Sequence, residues 1–181
     1  ALLDVGHGQA AVVRTGDGRT VLIDAGSRGR PGLAHRTILP ALRALGIARL
    51  DAVVCTHADA DHWNALPALL ERLRVERLYV GAEPPASLRR AARRLGVPVE
   101  RLSDGAVVAE ARELRLLCLS ADGPEGASTN DRSTVLLLEA RGCRVLLPAD
   151  REEAGLRALL RGGVPPCPVL VAPHHGAACD E

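Results

Sequence analysis

Apolar and polar positions along this chain fall into blocks that switch between a two-residue and a helical period. Residues 10–15 and 20–24 are β-rich runs around Gly16-Asp17-Gly18-Arg19, which predicts a hairpin. A loop over residues 27–32 is followed by a helical pattern over residues 34–45. There Leu39, Leu42 and Leu45 share one side, Gly46 is the stop, and Pro40 implies a late start or a kink. Residues 50–55 read as a buried strand, after which Leu66, Leu69, Leu70 and Leu73 recur at helical spacing. Residues 77–80 read as a short strand, and Pro84-Pro85 opens a helix over residues 86–95 that Gly96 ends. Strand-like runs then come quickly, at residues 97–102, 106–109, 113–119, 133–140 and 143–148, the last two joined by a turn at Gly142. A helix over residues 151–161 precedes a last run, residues 168–172, which reads as a buried strand leading into Pro173-His174-His175-Gly176.

A hairpin, then βα units, then more strands and βα units predict a layered α/β sandwich. With 181 residues the chain suits one well-buried domain. It begins inside a strand-like run and closes just past a His pair, so the single domain, residues 1–181, looks cut at both ends. Composition changes this picture little, with 47% hydrophobic and 25% charged residues. The formal net charge of +1 gives no global basic field for nucleic acid or membrane. All 23 basic residues are arginine, and a single Trp and a single Tyr leave little aromatic surface for stacking on bases. The five cysteines are scattered without a CxxC pair, which argues against a disulfide framework. Cys55, Cys118 and Cys143 lie in apolar strand-like runs and are expected to be buried. No apolar run is long enough to span a bilayer.

Candidate chemistry collects where the predicted strands end. Thr56-His57-Ala58-Asp59-Ala60-Asp61-His62 packs two imidazoles and two carboxylates between a strand and a helix, the edge at which open α/β sheets hold ligands. A solvated acidic turn could carry these residues, but their mutual field favours a divalent cation of the Zn, Mn or Fe type. His57 and Asp59 can face one way while Asp61 and His62 face another, which hints at two ions. Asp24, Asn130-Asp131, Asp150 and His174-His175 also stand at strand ends, and together with the first cluster they suffice for two coordination spheres. Taken alone, Asp24 is a turn residue or a carboxylate orienting a metal ligand, Asp150 a helix cap, and His7 a loop residue or a substrate contact. Arg89, Arg90, Arg93 and Arg94 could hold phosphates, although a solvated helix face is the commoner outcome.

These stretches resemble the metallo-β-lactamase fold hydrolases. The cluster at 56–62 is similar to the T-H-x-H-x-D-H signature with Asp59 in place of the second His. More narrowly, the chain resembles the C-terminal hydrolase domain of the ComEC/Rec2 competence proteins. The matching segments, in order, are Leu3-Asp4-Val5-Gly6-His7-Gly8-Gln9-Ala10, Val21-Leu22-Ile23-Asp24-Ala25-Gly26, the central cluster, Asn130-Asp131-Arg132-Ser133-Thr134-Val135-Leu136, Leu146-Leu147-Pro148-Ala149-Asp150 and Pro173-His174-His175-Gly176. His7 and Gln9 depart from the usual Gln and Asp, Trp63-Asn64 from a small pair, and Pro148-Ala149 from Thr-Gly. The resemblance implies an αβ/βα sandwich with two mixed sheets flanked by helices, and two divalent ions, Mn or Zn. His57 and Asp59 would bind one ion, with Asn130 or Asp131 near it. Asp61, His62 and one of His174 and His175 would bind the other, Asp150 would bridge, and Asp61 could also orient the nucleophile. No small organic cofactor is implied.

The function expected from this resemblance is phosphodiester hydrolysis, a nuclease acting on single-stranded DNA during uptake, with a membrane channel domain elsewhere in the full-length protein. Two other readings stay open: a stand-alone hydrolase of a small ester, lactone or phosphodiester, and a non-catalytic metal-binding or DNA-docking module. The first places the domain on the extracytoplasmic side of the inner membrane, and a stand-alone enzyme would be cytoplasmic.

Overall fold

The computed structural model describes residues 1–177. Two compact units emerge, one of residues 1–14 and 18–101, the other of residues 15–17 and 102 onward. Each contains one five-stranded mixed sheet. The α/β class with two mixed sheets and flanking helices is as expected.

In the first unit, β1 (Ala11–Arg14) and β2 (Thr20–Ile23) form the antiparallel hairpin that Gly16-Asp17-Gly18 signalled. The rest of this sheet is parallel. Its order is β1-β2-β4-β6-β7, with β4 Ala52–Cys55, β6 Leu78–Val80 and β7 Val99–Arg101. Two short strands, β3 (Arg49–Leu50) and β5 (Arg74–Val75), pair separately. The segment expected as one helix is a π-helical stretch, Ala34–Ile38, followed by α1, Leu39–Ala44. Pro40 is the second residue of α1, at the junction where the π-helical stretch passes into the α-helix. Beyond β4 come α2 (Ala60–Trp63) and α3 (Leu66–Leu70), and α4 (Ala86–Leu95) ends at Gly96 with φ 69°. Leu22, Val53 and Leu78 are fully buried in adjoining strands, and Leu42, Leu66 and Leu88 come in from the helices. Each such side chain contributes roughly 1.5–3 kcal/mol.

In the second unit the order is β12-β11-β10-β9-β8. The strands β8 (Val107–Ala111), β9 (Leu114–Ser120), β10 (Val135–Ala140) and β11 (Cys143–Leu147) run antiparallel in sequence. After α5 (Glu153–Gly162) the short β12 (Val169–Leu170) adds in parallel to β11. Two burial expectations fail here. β12 is an edge strand with Val169 and Leu170 exposed, because an apolar run does not encode which strand ends the sheet. Cys143 is exposed at the hairpin end of β11, whereas Cys55 and Cys118 are buried as expected. Among the described residues no helix is long and apolar enough to cross a membrane.

Candidate metal centre

Parallel pairing puts the strand ends of the first unit at one edge. Ile23 pairs with Val54, so Asp24 emerges beside Thr56 and His57. Asp24 is fully buried and adopts φ 57°, a left-handed backbone that turns its carboxylate back over the end of β4. Its Oδ1 accepts the Thr56 backbone N–H at 2.8 Å. Its Oδ2 takes the Thr56 hydroxyl at 2.8 Å, the Gln9 amide at 3.0 Å and lies 2.8 Å from His62 Nδ1. Thr56 Oγ1 is also 3.1 Å from His57 Nδ1.

This network fixes two tautomers at once. Because the Thr56 hydroxyl donates to Asp24, it can only accept from His57, so His57 carries its proton on Nδ1. His62 likewise donates from Nδ1 to Asp24. Both imidazoles are left with the Nε2 lone pair as the ligand atom, the arrangement in which a carboxylate orients a metal-binding histidine. The two rings stand 4.1 Å apart between centroids and are buried, as is Asp61. Asp61 and His62 each offer a ligand atom within 4.8 Å of the other. A buried carboxylate with oriented imidazoles is a donor set that fits a borderline divalent cation. Arg28 Nε lies 3.0 Å and His7 Nε2 3.6 Å from Asp61 Oδ2, so a cationic group already faces this carboxylate.

The backbone under these ligands is packed against glycine. A Cβ on Gly26 would lie 2.4 Å from the Asp61 carbonyl carbon, and one on Gly8 2.7 Å from the Asp61 oxygen. Gln9 and Ala25 donate backbone N–H groups to the Asp61 and His62 carbonyls at 3.1 and 2.8 Å. The departures from the family pattern serve as scaffold. Asn64 clamps Ser27 through both its amide atoms, at 3.2 and 2.7 Å, and the Trp63 indole donates to Ala58 O at 2.8 Å. Cys55 donates to His57 O, and burial together with Asp24 raises its thiol pKa well above the ordinary range, so it stays neutral. Asp59 precedes α2, half-buried, and among the described residues its side chain lies outside the close ligand group.

The second unit gathers its own set by the same logic. β11 and β12 are parallel neighbours, so Asp150 and His174-His175 leave the same sheet edge, and the antiparallel β10 begins there with Asn130-Asp131 just before it. His175 Nε2 lies 3.5 Å and His174 Nε2 4.0 Å from Asp150 Oδ2. Both histidines are left-handed, with φ 55° and 46°, and Ala149 before Asp150 has φ 52°. Such strain clusters at functional sites. Glu152 holds His174 Nδ1 at 3.1 Å and accepts the Asn130 amide at 2.9 Å. Asp131 has a scaffold role. Its Oδ1 accepts the N–H groups of Glu152 and Gly155 at 3.1 and 2.6 Å, and Ser128 donates to its Oδ2 at 3.3 Å. Behind it Arg151 is buried, donating to Ser133 O, Gly155 O, Ser120 Oγ and Asp122 O, and desolvation lowers its pKa.

The sequence reading missed Arg28, Thr56 and Glu152 as members of these sets. Thr56 was legible as the first residue of the motif. Arg28, in a glycine-rich loop, carries no local signal.

A family profile, the Metallo-beta-lactamase superfamily, matches residues 3–178. The chain belongs to that superfamily. Within it, the chain is 32% identical over 197 aligned positions to ComE operon protein 3 of Bacillus subtilis (strain 168), covering 97% of this chain and 25% of that protein. It is 29% identical over 180 positions to competence protein ComA of Neisseria gonorrhoeae, covering 96% of this chain and 23% of the relative. The chain thus spans about a quarter of the length of these curated relatives. Among solved structures, CmlA, a diiron beta-hydroxylase from Streptomyces venezuelae, shares the fold with a TM-score of 0.58 at 22% identity, over 93% of this chain and 33% of that one. The resemblance to competence proteins read from the ordered motifs is therefore met across nearly the whole chain.

Proposed function

We propose that this superfamily member is a metal-dependent phosphodiesterase that cuts single-stranded DNA during uptake, with a membrane channel domain elsewhere in the full-length protein delivering the strand. The observation that carries the hydrolase reading is the Asp24-Thr56 network, which sets His57 and His62 with Nε2 as ligand atoms beside buried Asp61. Similarity to two competence proteins supports the choice of DNA.

In this reading the ligand set that the resemblance implies, His57, Asp59, Asp61, His62, Asp150 and His175 or His174, would hold two divalent ions, Mn or Zn. Bound, such ions polarise a phosphoryl oxygen and lower the pKa of water toward neutrality. The chain's own residues have separable tasks. Asp24 and Thr56 keep the Nδ1 protons in place. Arg28 offsets the charge of Asp61, and Glu152 holds His174 by Nδ1.

The test is cleavage of a labelled single-stranded oligonucleotide by metal-stripped protein reconstituted with Mn, Mg or Zn. Cleavage should fall by about a hundredfold or more in Asp61→Ala. Metal content should drop in both His62→Ala and His175→Ala. Wild type that cuts no DNA with any of the three metals, indistinguishable from Asp61→Ala, would overturn the nuclease. Much faster turnover of a small ester or lactone would replace it with a stand-alone hydrolase.

A further inference from the structure

The helix α4 carries Arg89, Arg90, Arg93 and Arg94 and no acidic residue. Its apolar side, Leu88, Ala91 and Ala92, is buried in the first unit, and all four guanidinium groups face outward. Positions 90, 93 and 94 share a face by their i, i+3, i+4 spacing. With Ser87, Ala91 and Pro67 of α3 they line a cavity of about 610 Å³. The outer arginines are held from the flanks, Arg89 by Glu83 and Arg94 by Glu71. Among the described residues no ion pair involves Arg90 or Arg93.

The charge is local. Residues 71–95 hold seven arginines against three glutamates, a formal +4 in a chain of net +1, so the remainder carries −3. A concentrated basic face on a near-neutral domain calls for a local polyanion. Arginine forks suit phosphate oxygens, and the lining has no aromatic ring to stack on a base, so contacts would be to backbone and indifferent to sequence. An anionic membrane fits less well. A helix that lies on lipid inserts its apolar face, and that of α4 is already buried in the core.

We propose that the α3–α4 face binds the sugar-phosphate backbone of single-stranded DNA, with Arg90 and Arg93 as the principal contacts and Arg94 and Ser87 beside them. The ligand class rests on the nuclease reading above.

The experiment is fluorescence anisotropy with a labelled oligodeoxythymidine in EDTA, so that the metal-binding residues are silent. Variants are R90E/R93E, the milder R90Q/R93Q that preserves the fold, and R112E/R141E as a charge-matched control in the second unit. Affinity at low salt should fall about tenfold or more in both α4 variants, and the slope of log K against log salt should shrink by about 1.4 on loss of two phosphate contacts. The control should stay near wild type. Equal losses in the control, no loss in the α4 variants, or binding to phosphatidylglycerol vesicles without binding to the oligonucleotide would overturn the surface. Turnover of bis(p-nitrophenyl) phosphate with Mn restored should be unchanged in the α4 variants. Oligonucleotide binding that depends on Arg90 and Arg93 in a protein that never cuts DNA would sink the nuclease and leave this surface standing.

Discussion

Ala149 holds φ 52° directly before Asp150, at a position where the competence-type pattern has glycine. A left-handed backbone costs a residue with a Cβ about 1–2 kcal/mol. Its buried methyl returns roughly 0.8 kcal/mol. Ala149→Gly should therefore unfold within about 0.5 kcal/mol of wild type or above it, while Ala52→Gly in the extended, buried β4 should cost more than about 1 kcal/mol. Urea unfolding of the two variants decides this, and equal losses would show that Ala149 is unstrained. At this scale the sequence disclosed donors well and their orientation poorly. His57, Asp61 and His62 were recognisable because imidazole and carboxylate at short spacing have few other uses. Arg28 and Glu152 were not, because an arginine in a glycine-rich loop and a glutamate ahead of a helix usually face water.

The helix α5 begins with Glu152 as its N-cap, yet makes no side-chain cap hydrogen bond of its own. Asp131, twenty-one residues away, supplies the missing acceptor by taking the N–H groups of Glu152 and Gly155. Asp131→Ala should cost about 1–2 kcal/mol. Amide exchange should quicken at the first turn of α5 while bound metal stays at the wild-type level. Loss of metal with unchanged exchange would instead make Asp131 a ligand. Most elements were legible from periodicity, and α4 was found with its Gly96 stop. What periodicity lacked was context. It has no term for the π-helical stretch ahead of Pro40, since both helix types satisfy a similar apolar stripe. It also did not see that β12 lies at the sheet edge, a consequence of pairing order.

Over the whole molecule the formal charge nearly cancels at pH 7, and its buried titratable groups add their own response to pH. The clearest is Cys118, whose thiol burial pushes up to about 12 from 9.0, with Asp104 adding to the shift. Because the folded value is raised, this contribution is intact below pH 9.0 and is lost as pH climbs from there toward about 12, where only the unfolded chain binds fewer protons. The loss approaches about 1.4 kcal/mol per pH unit within that window. Denaturation curves at stepped alkaline pH should fall less steeply for Cys118→Ala than for wild type, and parallel curves would mean that the thiol ionises in the native state. The family assignment was legible because the motifs run in order along nearly all of the chain. The expected burial of Cys143 was not, since its apolar neighbours say nothing about the hairpin end on which it stands.

The seat of Asp61 on Gly8 and Gly26 has a consequence for how such a centre is inherited. Two missing methyl groups, one from the first loop of the chain and one from the end of its hairpin, set the height at which the ligand loop rests. Neither position owns a donor atom, so an inventory of reactive groups passes over both. A lineage could exchange one donor for another, as Asp59 for His, and keep the loop where it is. It could not add a carbon at either glycine without displacing the backbone at Asp61, which makes the two emptiest positions the least negotiable ones.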